Sequence, residues 1–325
     1  MNTDKDANAR AFICVHLCSS VANSICLVAV LFLTGCCNCP KTTTTGGERL
    51  NPPTQAMAMV VNAINANNEK IPSLWATLNY SATINVEGHV HSVSGDDGVL
   101  LYQAVNGRPT NLRLRGNKEF VGPVFDMGCN GRQFWVEVVP GAHTMWWGNY
   151  DDLRRLKPDR LPIPVRPDLV LEVLGVRTIQ TDFRAMPAPI MRYDGAADAY
   201  VFLFAVEAPD RWYAQKEVYY DRGTLRPRRV VLYDLEGRPV LDARLSKDVK
   251  VTVDGQGATN WPLVAGDYKL FFPDSGSRME FTLKDVRLEK AGPRGMPVPN
   301  ENSFRLPDVQ GTEVEARQIG GGGSE

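Results

Sequence analysis

The sequence predicts a mainly β domain with helices, in which one wide antiparallel sheet curls strongly. Short runs rich in Val, Ile, Leu, Thr and aromatic residues recur along the chain, and several alternate apolar with polar residues, as Phe134, Val136 and Val138 do with Gln133 and Glu137. Many of the 28 glycines and 22 prolines stand between these runs, as turn residues do. No repeat of fixed period is visible, which argues against a propeller.

The first 35 residues are predicted to be the signal peptide of an exported lipoprotein. Residues 1–10 are polar and only weakly basic, and residues 11–33 are mostly apolar without a charged side chain. The motif Leu-Thr-Gly-Cys at 33–36 resembles the lipobox of bacterial lipoproteins, which makes Cys36 the lipid attachment site. An uncleaved transmembrane anchor is the alternative, because the apolar run is about long enough to cross a bilayer. Both alternatives place the rest of the chain in the same compartment.

The exported part divides into three predicted segments. Residues 36–53 form the lipidated cysteine and a flexible tether, residues 54–310 form one β domain, and residues 311–325, which end in Gly-Gly-Gly-Gly-Ser-Glu, form a disordered tail. Lys and Arg number 36 and Asp and Glu 37, so no net charge favours nucleic acid as a partner. Beyond residue 39 the only cysteine is Cys129, which excludes a disulfide-rich scaffold.

The first half of the domain is predicted to be a helix followed by antiparallel strands. The apolar residues of 56–64 recur at a spacing of three to four, and the helix should end by Asn67 and Asn68, because Pro72 cannot continue it. Turns are predicted at Gly95–Gly98, Asn106-Gly107, Arg115–Asn117 and Asn130-Gly131. The predicted strands are 74–86, 99–105, 112–115, 120–125, 133–139 and 143–147.

A proline-rich insertion at 151–174 separates the two halves of the sheet. Pro167 suits the first turn of a short helix and Gly175 suits its end. In the last predicted strand the apolar residues change parity, which a bulge near Lys284 and Asp285 would explain. The strands predicted after the insertion are 199–207, 213–220, 228–234, 240–245, 249–253 and 278–288.

This order of elements resembles the LolA/LolB-like family of periplasmic lipoprotein carriers over about residues 56–310. The resemblance is carried by the helix and first strand at 60–78, the segment 126–136, the hairpin 219–234, and the strand 279–288 with the segment 302–307 after it. It implies an unclosed, strongly curled antiparallel β-barrel with helices over the concave face. It also implies a carrier or receptor without catalysis, whose cargo is an acylated protein or a lipid.

The resemblance and the lipobox together imply a location. Members of the outer-membrane receptor branch carry an acyl anchor, as this chain is predicted to do at Cys36. We therefore expect a protein of the cell envelope that is lipid-anchored to a membrane, the outer rather than the inner one, and faces the periplasm. We expect a monomer that needs no cofactor.

Five aromatic residues are candidates for the lining of an apolar hollow between the helices and the curled sheet. Trp and Tyr suit a site that meets both an apolar tail and a polar headgroup. Ordinary core packing is the alternative for each candidate. Adjacent strand residues face opposite sides, so at most one of the two neighbouring tryptophans can enter the hollow. The candidates are Trp135, Trp146, Trp147, Phe202 and Phe204.

Neither a metal site nor an enzyme is predicted. His89 and His91 share a strand face, a spacing that occurs in metal sites, but no acidic residue stands beside them in a ligand-like pattern. No Gly-x-Ser-x-Gly, His-Glu-x-x-His or Walker motif is present. The alternative to a carrier is a structural or adaptor lipoprotein with a filled core that docks a partner protein.

Overall fold

The computed structural model describes residues 54–86, 88–118, 122–139, 143–153, 165–288, 299–308 and 314–319. These residues belong to one compact unit, Pro53–Glu325. The predicted signal peptide, Cys36 and the tether lie outside the described residues, as do the first residues of the strand predicted at 120–125. Among the described residues, no helix has the length and apolar character needed to cross a membrane.

One 14-stranded sheet contains every strand of the described domain. Its strands are β1 Ser73–Val86, β2 His89–Val105, β3 Arg108–Lys118, β4 Gly122–Cys129, β5 Gln133–Val138, β6 Thr144–Asn149, β7 Ala188–Asp194, β8 Ala199–Glu207, β9 Trp212–Asp221, β10 Pro227–Tyr233, β11 Pro239–Lys250, β12 Leu263–Phe272, β13 Ser277–Arg287 and β14 Glu315–Ile319. The strand order is β14-β6-β5-β4-β3-β2-β1-β13-β12-β11-β10-β9-β8-β7.

The sheet is mainly antiparallel and does not close. Each half is a run of consecutive antiparallel strands, and the halves join where β1 pairs with β13. The exception is β14, which pairs in parallel with β6. Since β7 and β14 are the two ends of the sheet and do not pair in the described structure, the predicted mainly β, unclosed antiparallel fold is confirmed.

Three helices and a 3₁₀ turn accompany the sheet in the described residues. They are α1 Met57–Asn68, α2 Tyr150–Leu153, α3 Pro167–Val173 and the 3₁₀ turn Glu301–Phe304. The predicted first helix is confirmed and ends at Asn68. The helix in the insertion is also confirmed: it begins at Pro167, and Gly175 follows its end with a φ of 74°, a conformation that favours glycine.

The position of α3 shows that the sheet curls around it. This helix packs against β3, β4 and β5, while Glu172 at its C-terminal end is ion-paired with Lys216 of β9. In a flat sheet β5 and β9 would be about 43 Å apart, nine strand spacings of about 4.8 Å, whereas a helix is only about 10–12 Å wide. Both halves can touch one seven-residue helix only because the sheet bends around it, with α3 on the concave face.

Three buried asparagines attach α1 to the same concave side. Asn65 exchanges two hydrogen bonds with the backbone of Ile179, at 2.7 and 2.8 Å. Asn67 does the same with the backbone of Leu263 in β12, at 2.8 and 2.9 Å. Asn68 donates to the carbonyl oxygens of Gly175 and Arg177. Each amide thus satisfies buried backbone groups and holds the helix in one position.

Two of the turns predicted at glycine are wrong. Gly95–Gly98 lies inside β2, where a bulge opposite Leu78 and Tyr80 adds one residue, and Arg115–Asn117 lies inside β3. The physical reason is close packing: a Cβ at Gly95 would lie 2.6 Å from Tyr80 Oη, and one at Gly116 would lie 2.6 Å from Tyr80 Cζ. These glycines make room for a buried tyrosine instead of reversing the chain.

Other differences concern the second half and the C-terminus. The predicted strand 240–245 and the first two residues of the predicted strand 249–253 belong to the single strand β11, and β7 and β12 were not predicted. The predicted disordered tail at 311–325 is wrong for Glu315–Ile319, because these residues pair with β6 and bury Ile319 in the core. The predicted bulge is confirmed: β13 has one extra residue opposite β1, and Asp285 has a φ of 50°.

Gly116→Ala tests the packing role of the strand glycines. The new methyl group would collide with the rings of Tyr80 and Phe125, so we expect the free energy of unfolding to fall by about 1–3 kcal/mol. Urea unfolding of residues 53–325, followed by tryptophan fluorescence, measures it. Gly195→Ala is the matched control, because its nearest neighbour atom is 3.7 Å away, and it should change stability by less than about 0.5 kcal/mol. Equal stability of the two variants would contradict this account.

Candidate functional site

A half-open cavity of about 640 Å³ lies beside α3, between strands of the two sheet halves. Residues of β3 and the β4–β5 turn border it on one side, and residues of β9 to β12 border it on the other. Its size is within the range of about 300–1,000 Å³ that is usual for small-molecule sites. Its apolar lining includes Leu169, Leu171, Leu232, Leu235, Val240 and Phe272.

A group of three charged residues forms part of the lining. The Glu172 carboxylate is 2.9 Å from Lys216 Nζ and 2.6 Å from the Arg177 guanidinium. The Lys216 side chain is buried, and its ammonium lies 4.7 Å above the ring of Phe204. Burial alone would raise the pKa of Glu172, but Lys216 and Arg177 outweigh it and hold the pKa below its ordinary value. Glu172 is therefore an anion at neutral pH, with two cations beside it.

A second polar group lines the cavity near the β4–β5 turn. Arg166 pairs with Asp168 at 2.6 Å. The Tyr150 hydroxyl is buried beside the Cys129 thiol and has no nitrogen or oxygen partner in the described part of the chain. Burial raises the pKa of Cys129 to about 12, so this thiol stays protonated and is not a nucleophile at neutral pH. The cavity is therefore amphipathic, with charged side chains beside the apolar ones that the sequence led us to expect.

None of the five aromatic residues predicted to line a hollow lines this cavity. Trp146, Phe202 and Phe204 are buried in the hydrophobic core of the concave face. Trp135 and Trp147 lie opposite each other in the β5–β6 pair, on the other face of the sheet. The prediction that the neighbouring tryptophans face opposite sides is confirmed, and Trp146, Phe202 and Phe204 pack as the core-packing alternative expects, while the candidate lining itself stays a prediction.

The C-terminal segment explains why Trp135 is buried on the convex face. Trp135 Nε1 donates to Asp126 at 3.1 Å, and Arg113 pairs with the same carboxylate. Arg113 also donates to the carbonyl oxygen of Ser303, and the neighbouring Phe304 is buried. This set of contacts fastens the 3₁₀ turn over β3 to β5. Its polar groups are used within the fold, so it has a structural role.

The charged cavity residues were missed in the sequence, although β9 contains a signal for them. Alternation in β9 places Lys216 on the same face as Val218 and Tyr220, both of which are buried. A lysine at an inward position needs a buried anion, because an unpaired buried charge is costly. The partner, Glu172, stands in the helix sequence Pro-Asp-Leu-Val-Leu-Glu-Val, which is apolar except for Asp168 and Glu172. What the sequence could not provide was the pairing of these two residues, which are 44 positions apart.

The two strand histidines do not belong to a metal-ligand cluster. His89 is exposed and His91 is partly buried, both near the β1–β2 hairpin. In the described ranges, no three His, Cys, Asp or Glu side chains come close enough together to hold a metal ion.

Comparison with known proteins gives similar folds but no close relative. No protein-family model matches the chain, and a search of curated proteins finds no match. A domain described as an outer-membrane lipoprotein-sorting protein from Vibrio parahaemolyticus shares 12% identity at a TM-score of 0.45, over 76% of this chain and 95% of its own. A LolA superfamily protein from Nitrosomonas europaea shares 12% identity at a TM-score of 0.41, over 76% of this chain and 96% of its own.

A third solved structure is a DUF1329 family protein from Desulfovibrio piger. It shares 13% identity at a TM-score of 0.38, over 78% of this chain and 98% of its own. At these scores no residue role is transferred, and the functional proposal rests on the geometry of the cavity.

Glu172→Gln tests the ion pairs of the cavity. The variant leaves Lys216 without its carboxylate partner, so we expect the free energy of unfolding at pH 7 to fall by about 2 kcal/mol. Breaking a fully buried pair costs about 3–5 kcal/mol, and the expected loss is smaller because Glu172 is partly exposed. Glu280→Gln, which breaks an exposed pair with Lys269, is the control and should change stability by less than about 0.5 kcal/mol.

The same variant gives a pH signature with a defined sign. Because the folded-state pKa of Glu172 is lowered, its stabilisation is complete above the ordinary value of 4.5 and is lost as pH falls through the folded-state value. Urea unfolding at several pH values should therefore show a constant gap between wild type and Glu172→Gln above that value and a narrowing gap below it. A gap that widens on acidification would be inconsistent with a lowered pKa.

Proposed function

We propose that this protein is a membrane-anchored envelope lipoprotein that binds acyl chains of lipoproteins or lipids and acts as a carrier or receptor without catalysis. The half-open cavity beside α3 is the observation that carries the proposal. Its apolar wall suits a hydrocarbon tail, and its charged residues suit a polar headgroup at the same site. Its size suits one small ligand.

The expected affinity is modest, which suits a carrier that must also release its cargo. Apolar burial contributes about 25 cal/mol per Å², so about 300 Å² of tail surface gives about 7 kcal/mol before the costs of binding are subtracted. That corresponds to dissociation constants of roughly micromolar or weaker. Because the cavity is half-open, a ligand can leave without unfolding of the sheet.

A second candidate function is supported by the rest of the interior. In the described part of the chain, buried side chains of the sheet, α1 and α3 form one continuous core on the concave face. A filled interior favours a structural or adaptor lipoprotein that docks a partner protein. The two candidates differ in one measurable property, which is whether the cavity takes up an acyl chain.

The location and the anchor are part of the proposal. The lipobox motif with Cys36 supports lipid attachment, and the charge-balanced composition gives no reason to expect a nucleic-acid partner. We propose that the domain faces the periplasm from a membrane, the outer rather than the inner one, and that it is a monomer.

Acyl-chain binding is tested with a fluorescent fatty-acid probe and residues 53–325. We expect saturable binding at micromolar probe and displacement by a lipopeptide. Val240→Trp should weaken binding at least about tenfold, because the larger ring fills the cavity. Ile190→Trp makes the same chemical change at an exposed position of β7 and should bind as wild type does. Absence of saturable binding to the folded wild-type domain would favour the adaptor function instead.

Lipid attachment is tested by metabolic labelling with a fatty acid in a Gram-negative host. We expect label in the full chain and its loss in Cys36→Ser, because the thiol receives the lipid. Cys37→Ser, one residue away, should keep the label. Label that persists in Cys36→Ser would contradict lipid attachment at Cys36, and a full chain that takes up no label and retains residues 1–35 would point to the uncleaved transmembrane anchor.

A further inference from the structure

The charged part of the cavity identifies the class of headgroup, an inference that rests on the proposed function. We propose that the cavity takes a single-chain amphiphile with an anionic carboxylate headgroup, and that Lys216 binds that headgroup. The ligand is thus of the long-chain carboxylate class.

The side chain of Lys216 has hydrogen-bonding capacity that the fold does not use. An ammonium group has three N–H donors. In the described structure, one donor reaches Glu172 Oε2 at 2.9 Å, and the only other recorded partner of Nζ is the face of the Phe204 ring at 4.7 Å. Lys216 is only 6% exposed, yet it lines the cavity. A ligand oxygen at this place would complete the coordination of a nearly buried cation.

The charged residues next to α3 carry one more positive than negative charge, whereas the whole cavity lining has three basic and four acidic residues. Three cations, Arg166, Arg177 and Lys216, face the cavity together with two anions, Asp168 and Glu172. Glu172 pairs with both Lys216 and Arg177. A ligand carboxylate can therefore bind Lys216 beside Glu172, while Arg177 continues to neutralise Glu172. Two further acidic residues of the lining, Asp234 and Asp274, belong to the turns after β10 and β12. Arg238 pairs with Asp234 and also interacts electrostatically with Asp274.

The volume limits the ligand to one chain. A cavity of about 640 Å³ is of the size that holds one drug-sized molecule. Leu171 and Leu232 flank the charged group, and Val240 and Phe272 continue the apolar lining along β11 and β12. One headgroup position next to one apolar wall is the arrangement that a single-chain carboxylate matches.

The experiment compares cis-parinaric acid with its methyl ester on residues 53–325. The two probes have the same tail and differ in the negative charge. In the wild type we expect the acid to bind about tenfold tighter, because a charge-assisted hydrogen bond to Lys216 is lost with the ester. A long-chain alkylammonium of equal length should compete poorly with the acid, because its charge has the wrong sign.

Substitutions assign the preference to Lys216. Lys216→Gln should bind acid and ester within about twofold of each other, while Lys216→Arg, which keeps the charge, should restore the preference for the acid. Lys247→Gln is the control, because Lys247 is an exposed lysine that pairs with Asp267 away from the cavity, and it should behave as wild type. If Lys216→Gln fails to fold, the acid, ester and alkylammonium series on the wild type and on Lys216→Arg still tests the charge preference.

Each outcome separates this inference from the proposed function. If neither the acid nor the ester binds, the proposed function itself fails. If both bind equally well, acyl binding stands and the carboxylate inference is overturned. If the acid is preferred in Lys216→Gln as strongly as in the wild type, a carboxylate is recognised but not by Lys216. Preference for the alkylammonium would overturn the inference directly.

Discussion

The packing of α3 inside the curled sheet is the constraint on which the rest of the structure depends. This short helix buries Val170, Leu171 and Val173, while its two acidic residues, Asp168 and Glu172, project from the same seven residues. A carboxylate inside a concave apolar surface needs cations or water. The sheet supplies Lys216, and the segments beside the helix supply Arg166 and Arg177. The cavity lies where these polar groups meet, because side chains that must be solvated or paired prevent dry, close packing there.

The helix α1 and the C-terminal segment hold the two halves of the sheet in place around α3. The asparagines of α1 bind the backbone after α3 and the start of β12, which couples both helices to the second half of the sheet. The Tyr268 hydroxyl of β12 donates to the carbonyl of Leu174 at the end of α3. On the outside, Arg113 and Asp126 secure the 3₁₀ turn over the first half. The hydrogen bonds of the α1 asparagines and of Tyr268 therefore fix the second half of the sheet, and the Arg113–Asp126 pair fixes the first half. The cavity lies between strands of these two halves.

The sequence was most informative where a residue type has one structural meaning and least informative where it has two. Alternation and β-branched residues predicted β1, β5, β8 and β9 closely, because a half-buried strand requires that pattern. Glycine marks either a turn or a close approach, and here the second applies at Gly95 and Gly116. The same ambiguity is the reason that β12 was not predicted, because Gly266 interrupts its apolar run. Glycine is needed there, since a Cβ would lie 2.6 Å from the Lys247 carbonyl oxygen. β7 was not predicted because it contains proline, which strands rarely include. It is an edge strand of the sheet, where Pro189 is tolerated.

The sequence predicted that the domain encloses a binding hollow, but it did not predict which residues line the cavity. The reason lies in the balance between apolar and charged contacts. Large aromatic residues were expected to line a hollow, but apolar rings pack against one another and fill the space they enclose. An open space in a folded domain persists where the lining is polar enough to tolerate water when no ligand is bound. In this chain Glu172 and Lys216 meet that condition, since the carboxylate of one is paired with the ammonium of the other. The ligand that we propose would have to share this ion pair, which would keep its affinity modest and make its headgroup charge the property by which the site selects it.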